Sequence, residues 1–275
     1  MEQSTVPFVT RQQIETGLTE LGVQAGQTVM LHASVKTVGW LLGGPIMVLE
    51  ALLNVVTPSG TVMMLASWEG NPYPMAQWPE EHQQACLVQC PPFDPVTSPA
   101  DHREMSILAE YLRTWPNAHR SHHPLASFVA VGQHATWLTE IHPLHYGMGP
   151  DSPLARLCEI KGHVLLLGAP CSNITLLHHA EHLARIPDKR IDRYKMPIVR
   201  DGQRVWIDIE EFDTTNGIAD FGTSDYFLAI GQAYLAAGKG RSVQIGNAPS
   251  FLFDADDIKQ FGITWMEQNH QPAIS

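Results

Sequence analysis

Three histidines and a glutamate fall within five residues: His178, His179, Glu181 and His182. If the stretch is helical, His178, Glu181, His182 and Arg185 share one face, because positions three and four apart are neighbours. Two chemistries suit that face. In one, His178-x-x-Glu181-His182 matches the inverted zinc-hydrolase pattern, where two imidazoles one turn apart bind metal and the glutamate activates water. In the other, a single neutral imidazole works as a metal-free general base. A third reading is bland: the histidines lie at the helix surface or cap the core, since short His/Glu patterns often arise by chance.

The elements that must hold these groups can be read around them. A continuous apolar run at 164–167 and the break Gly168-Ala169-Pro170 come first. Together they predict a buried strand, a tight turn and a helix capped by Ser172 or Asn173. Earlier, Thr10-Arg11-Gln12-Gln13 has capping-box spacing for a helix that Gly22 stops. Strands are expected at 27–31, 61–66 and 127–131, and helices at 45–56, 104–113 and 154–160, the last capped by Ser152-Pro153. Strand and helix alternate, which indicates a layered α/β arrangement with largely parallel pairing. Residues 195–199 and 204–209 form a hairpin through Asp201-Gly202. Val205, Ile207 and Ile209 alternate onto one of its faces, and the same alternation carries Glu211 and Asp213 to that side. A helix at 224–236, a glycine-rich turn and a helix opened around 254–257 close the chain. One domain is expected, with a smaller subdomain after about residue 190 as the alternative.

Three further stretches could bind ligands. Leu31-His32-Ala33-Ser34-Val35-Lys36-Thr37-Val38-Gly39 follows a strand and offers hydroxyls and a lysine to phosphate, although neither G-x-x-x-x-G-K nor G-x-G-x-x-G is present. Arg120-Ser121-His122-His123-Pro124 suits anion contact, and a plain turn equally. Residues 68–100 read as one long loop, of the length usual for lids and binding loops. Its Glu69, Glu80, Glu81, Asp94 and Asp101 alternate with Trp68, Tyr73, Trp78 and Phe93, a mixture able to hold a polycation.

The 275-residue chain carries 17 basic and 28 acidic residues, a net charge of −11. That balance argues against a nucleic-acid or anionic-membrane partner and accommodates a cationic ligand. Cys86, Cys90, Cys158 and Cys171 show no C-x-x-C pairing, and no apolar run reaches spanning length. A soluble, cytoplasmic protein is expected. Its oligomeric state is not legible.

Taken in register, the motifs resemble those of the aminoglycoside 3-N-acetyltransferase family. They are the 31–39 segment, Gly44-Pro45, Pro92-Phe93-Asp94-Pro95, Arg113-Thr114-Trp115-Pro116, and His119-Arg120-Ser121-x-x-Pro124 with Ala126-Ser127. Ser152-Pro153-Leu154-Ala155, Leu165-Leu166-Leu167-Gly168-Ala169-Pro170 and Thr175-Leu176-Leu177-His178-His179-Ala180-Glu181 complete the set. The resemblance implies acetyl transfer from acetyl-CoA to the 3-amino group of a 2-deoxystreptamine antibiotic. It also implies an α/β/α fold distinct from GNAT acetyltransferases, with a parallel or mixed sheet and a C-terminal hairpin, and it implies no metal. It casts His178 as base, oriented by Glu211 and Asp213. His32, Ala33, Ser34, Val35, Lys36, Thr37, Val38, Gly39 and Ser121 are implied as coenzyme contacts. Glu69, Tyr73, Asp94, Glu104, Tyr146, Glu181, Glu211 and Asp213 are expected around the drug. Where related chains often carry aspartate two residues after the loop tryptophan, this one has Gly70 beside Glu69.

The rivals are a zinc hydrolase built on His178, Glu181 and His182, and a protein that sequesters cationic antibiotics without modifying them. Metal separates the first from the transferase. Dialysis against a strong chelator is expected to leave turnover intact, and elemental analysis to find no stoichiometric zinc. Stoichiometric zinc whose removal abolishes turnover would restore the hydrolase.

Overall fold

The computed structural model describes residues 8–271. In chain order the first elements are β1 (Phe8–Val9), α1 (Arg11–Leu21), β2 (Thr28–Ala33), α2 (Val35–Val38) and β3 (Trp40–Leu41). Next come α3 (Ile46–Val56), β4 (Thr61–Leu65), α4 (Glu80–Gln89), α5 (Ile107–Arg113), β5 (His119–Arg120) and β6 (Phe128–Gly132). The site half holds α6 (Ala135–Thr139), α7 (Pro153–Glu159), β7 (His163–Leu167) and α8 (Leu176–Leu183). The hairpin β8 (Ile191–Arg200) and β9 (Gln203–Phe212) follows, then α9 (Tyr226–Ala236), β10 (Arg241–Ile245), β11 (Ala248–Asp254) and α10 (Ala255–Asn269).

Seven strands form one mixed sheet in the order β10-β11-β7-β2-β4-β6-β5. Only the central β7-β2-β4 trio is parallel, and the four flanking pairs are antiparallel. The central strands read as unbroken apolar runs because both faces are covered. Val29 and Leu31 of β2 point into a core shared with α1, α3 and α5, while Met30 points into the opposite core with α7, α8, α9 and α10. That is an α/β/α sandwich, layered by the two-residue alternation of the strands. Helix starts follow local chemistry. Thr10 and Gln13 close a capping box on α1, Gly22 ends it at φ 103°, Ser152 accepts from the Ala155 N–H, and Asp254 caps α10.

The hairpin lies outside the main sheet as its own two-stranded ribbon. Asp201 (φ 51°) and Gly202 (φ 73°) make its turn, both left-handed as a two-residue hairpin loop requires. Beneath it Trp68, Phe93, Tyr194, Met196 and Ile209 form a third, small core.

Four expectations need correction. Residues 68–100 are not one loop: they hold a 3-10 turn at Tyr73–Gln77 and the helix α4. No residue of α4 is buried, so it lacks the apolar stripe by which a helix is read from sequence. Neither Ser172 nor Asn173 caps the histidine helix. They sit in a separate 3-10 turn at Cys171–Asn173, and α8 starts only at Leu176 without a side-chain cap. The helix expected from Glu104 begins at Ile107, after Ser106 accepts from the Leu108 N–H. The glycine-rich stretch conceals β10 and β11, which pair antiparallel onto β7.

A layer of buried neutral histidines pins the loops below the site. The His123 Nδ1 accepts from the Leu125 and Ala126 N–H groups, so its proton is on Nε2 and donates to the Leu144 carbonyl at 3.2 Å. His142 stacks on it at 4.8 Å, and the His179 Nδ1–H donates to the Met148 carbonyl at 2.9 Å. Burial pushes His123 and His179 each down to about 4 from 6.5. The unfolded chain therefore binds more protons than the folded one between those values, so stability falls as pH drops from about 6.5 to about 4. The melting temperature should decline steadily through that window. A melting temperature that is flat there would show that both rings are already protonated in the folded protein.

Candidate active site

The parallel strands β2 and β7 end side by side, with Ala33 paired to Leu167, and their carboxyl ends open the crevice usual for α/β sheets. The chain leaves β7 through Gly168 at φ 67°, where a Cβ would lie 2.9 Å from the Ala248 Cβ and 3.2 Å from the Ser34 carbonyl oxygen. The Cys171–Asn173 turn follows, and α9 packs hard on it. A Cβ at Gly231 would stand 2.4 Å from the Cys171 Cβ. That close approach brings Tyr226 and Phe227, at the start of α9, against Glu181 and His178 of α8 respectively.

His178 sits at the mouth of this arrangement, its side chain 22% exposed. Its Nδ1 is 2.6 Å from Glu181 Oε2. With the carboxylate ionised, Nδ1 carries the proton and donates, which leaves the lone pair on Nε2. The Glu181 side chain is 1% exposed, and its other oxygen accepts from the Tyr226 hydroxyl. The Phe227 ring packs against the imidazole at 4.7 Å. Ser172, His178, Thr215, Asn216, Tyr226 and Phe227 line a cleft of about 420 Å³. His32, at the end of β2, is pushed down to about 4, first by burial and then by His178, and its Nε2 is sealed without a partner. It therefore stays neutral beside His178.

The carboxylate on His178 is thus Glu181, the i+3 neighbour, rather than Glu211 or Asp213. Glu211 Oε1 instead lies 2.9 Å from His182 Nε2, within ion-pair range but off the line of a directed hydrogen bond. Burial pushes Glu211 up, yet His182 and the Phe212 N–H outweigh it and hold the carboxyl below its usual range. Tyr146 and Phe212 enclose His182 edge-on. His178 and His182 consequently meet different carboxylates, Glu181 and Glu211, rather than sharing one centre as the inverted zinc pattern demands. Among the described residues, no three His, Cys, Asp or Glu side chains are gathered to hold a metal. Asp213 folds the cleft wall, its oxygens accepting from the Thr215 N–H, the Asn216 N–H and the Asn216 side-chain amide.

The remaining expected residues divide. In the 31–39 segment, the hydroxyls of Ser34 and Thr37 are 2.7 Å apart and Lys36 is exposed, so polar groups face outward at the strand end, while Val38 is buried. Ser121 lies inside the fold. It is fully buried, accepting from the Phe128 N–H and donating to His142 Nδ1. Tyr73 donates to Asp192 at 2.6 Å and approaches Thr215 at 3.1 Å, joining the first turn of the 68–100 segment to the cleft wall. Glu69 pairs with His102 at 3.3 Å, and Glu104 is exposed on the turn before α5. Asp94 ties its own loop through the Thr97 and Val96 N–H groups, and Tyr146 donates to Glu210 at 2.5 Å. Two residues escaped the sequence reading. Asp192 lies before the strand as read from sequence, directly opposite Glu211, and Tyr226 passed as one aromatic among others in a helix.

A sequence profile described as "Aminoglycoside 3-N-acetyltransferase" matches residues 30–267. The aminoglycoside N(3)-acetyltransferase III of Pseudomonas aeruginosa is 48% identical over 93% of this chain and 92% of its own. A solved structure titled "AAC-IIIb binary with CoASH" superposes with a TM-score of 0.89 at 44% identity, covering 98% of this chain and all of the other. Another, "AAC-VIa bound to Sisomicin", gives 0.89 at 35% identity over 97% of this chain and 100% of that one. With an α/β/α sandwich, a carboxylate-paired histidine on an open cleft and a match over nearly its whole length, the chain belongs to the aminoglycoside 3-N-acetyltransferase family.

Proposed function

We propose that the protein transfers acetyl from acetyl-CoA to the 3-amino group of 2-deoxystreptamine aminoglycosides, with His178 as the general base. The observation that carries this reading is the orientation of His178. Glu181 engages Nδ1, so the basic Nε2 is left for the 420 Å³ cleft. Relatives of the same fold have been solved with CoASH and with sisomicin, the two classes of ligand this reaction needs. An aminoglycoside amine is protonated at neutral pH and must lose a proton before it can attack a thioester. His178 Nε2 takes that proton, and Glu181 stabilises the imidazolium that forms. Asp225 lines the cleft and Asp213 is hydrogen-bonded to Thr215 and Asn216 in its wall, negative charge that matches a polycationic drug. The exposed hydroxyls and Lys36 of the 31–39 segment suit the phosphates of the coenzyme. We place the protein in the cytoplasm, where acetyl-CoA is made and where its four free thiols would stay reduced.

Mass spectrometry of kanamycin or gentamicin incubated with protein and acetyl-CoA should show the gain of one acetyl group on the 3-amine. A drug recovered unmodified but tightly bound would leave only sequestration. Within the enzyme, His178→Asn keeps a polar group of similar reach and removes the base. Turnover should fall by roughly a hundredfold or more, while both ligands still bind. His182→Ala should spare the chemical step relative to His178→Asn, since His182 is enclosed by Tyr146 and Phe212 away from the cleft. Normal turnover in His178→Asn would end the general-base account. Glu181→Gln should lower kcat and move the acidic limb of the pH–rate profile to lower pH, because a neutral amide no longer favours the imidazolium. Should Glu211→Gln rather than Glu181→Gln move that limb, the pairing would be assigned to the wrong carboxylate.

A further inference from the structure

We infer that Tyr226 is a positioning residue for acetyl transfer, holding Glu181 so that Glu181 can hold His178. The inference rests on the reading of His178 as base. Glu181 is on the same helix as His178, three residues on, and a glutamate side chain has three rotatable bonds. Its two oxygens have one directed partner each: His178 on Oε2 and the Tyr226 hydroxyl on Oε1. The first contact alone would let the carboxylate swing with the imidazole. The second comes from α9, a different helix, and fixes the carboxylate against the rest of the fold.

The phenol is itself held. Its ring packs against Phe221 at 4.4 Å and edge-on against Phe227 at 5.1 Å. Burial, followed by the neighbouring Glu181, raises its titration far above the normal tyrosine range, so the hydroxyl remains a donor at every working pH. Residues 226 and 227 thus act together. Tyr226 grips the carboxylate and Phe227 covers the imidazole face, both from the first turn of one helix. Neither needs to touch the reacting atoms.

The test is a double-mutant cycle between Tyr226→Phe and Glu181→Gln, with kcat and the binding constants of both ligands measured separately. Tyr226→Phe keeps the ring and removes only the hydroxyl. It should lower kcat about tenfold, the scale for losing an outer partner of a working side chain, and leave both binding constants unchanged. In the Glu181→Gln background the same change should cost less than about twofold, because the hydroxyl acts only through the carboxylate. Full kcat in Tyr226→Phe, an equal loss in both backgrounds, or a loss confined to binding would each overturn the proposal. If Tyr226→Phe does not fold, the wild-type protein still decides. Its Tyr226 hydroxyl proton should appear as a slowly exchanging low-field NMR resonance, and the absence of that resonance overturns the inference. The two readings fail separately. An inactive His178→Asn beside an unimpaired Tyr226→Phe removes only the role of Tyr226, whereas a fully active His178→Asn removes the base.

Discussion

A carboxylate with 1% of its side chain exposed needs hydrogen-bond donors in place of the water it has lost. Glu181 is such a group, and much of the local architecture can be read as the means of supplying those donors. The helix α8 supplies His178 and Glu181 at the spacing that lets them meet. The helix α9 supplies Tyr226, and it can come near enough only because Gly231 has no side chain where it meets Cys171. Gly168, at φ 67°, turns the chain out of β7 toward the 3-10 turn that precedes α8. A cluster that is fully satisfied in this way is rigid, whereas a half-satisfied one would be costlier than an apolar core.

Much of the scaffold was legible from sequence because its signals are local. The Thr10 capping box, the Gly22 stop, the Asp201-Gly202 turn and the apolar runs at 29–31 and 164–167 each encode a backbone preference within a few residues. What was missed depends on distant partners. The strand β11 is recognised as such by lying against β7, more than eighty residues earlier in the chain. The helix α4 buries nothing and so carries no periodic stripe.

The site divides in the same manner. His178 and Glu181 were visible as a pair because helical spacing makes them neighbours, yet the family pattern directed attention to Glu211 as the orienting carboxylate. Glu211 does contact a histidine of the same helix, one turn later. Which histidine each carboxylate meets depends on how the hairpin docks on α8, and neither sequence encodes that by itself. Ser121 shows how burial enters. Serine beside arginine and histidine looks like an anion site, but the hydroxyl faces inward and is spent on the Phe128 backbone and on His142.

The ribbon β8–β9 shares no strand pairing with the seven-stranded sheet and stands on a miniature core of five side chains. Its fate under mutation is thereby partly uncoupled from that of the sandwich. Changes along the outer edge of the ribbon, or on the solvent-facing α4 tied to it through Trp206 and Arg204, act on the element that leads directly into the cleft-lining residues 214–217, while the two large cores keep their packing. Such a division lets the ribbon drift under selection like an exchangeable faceplate, with His178, Glu181 and Tyr226 of α8 and α9 left in place behind it.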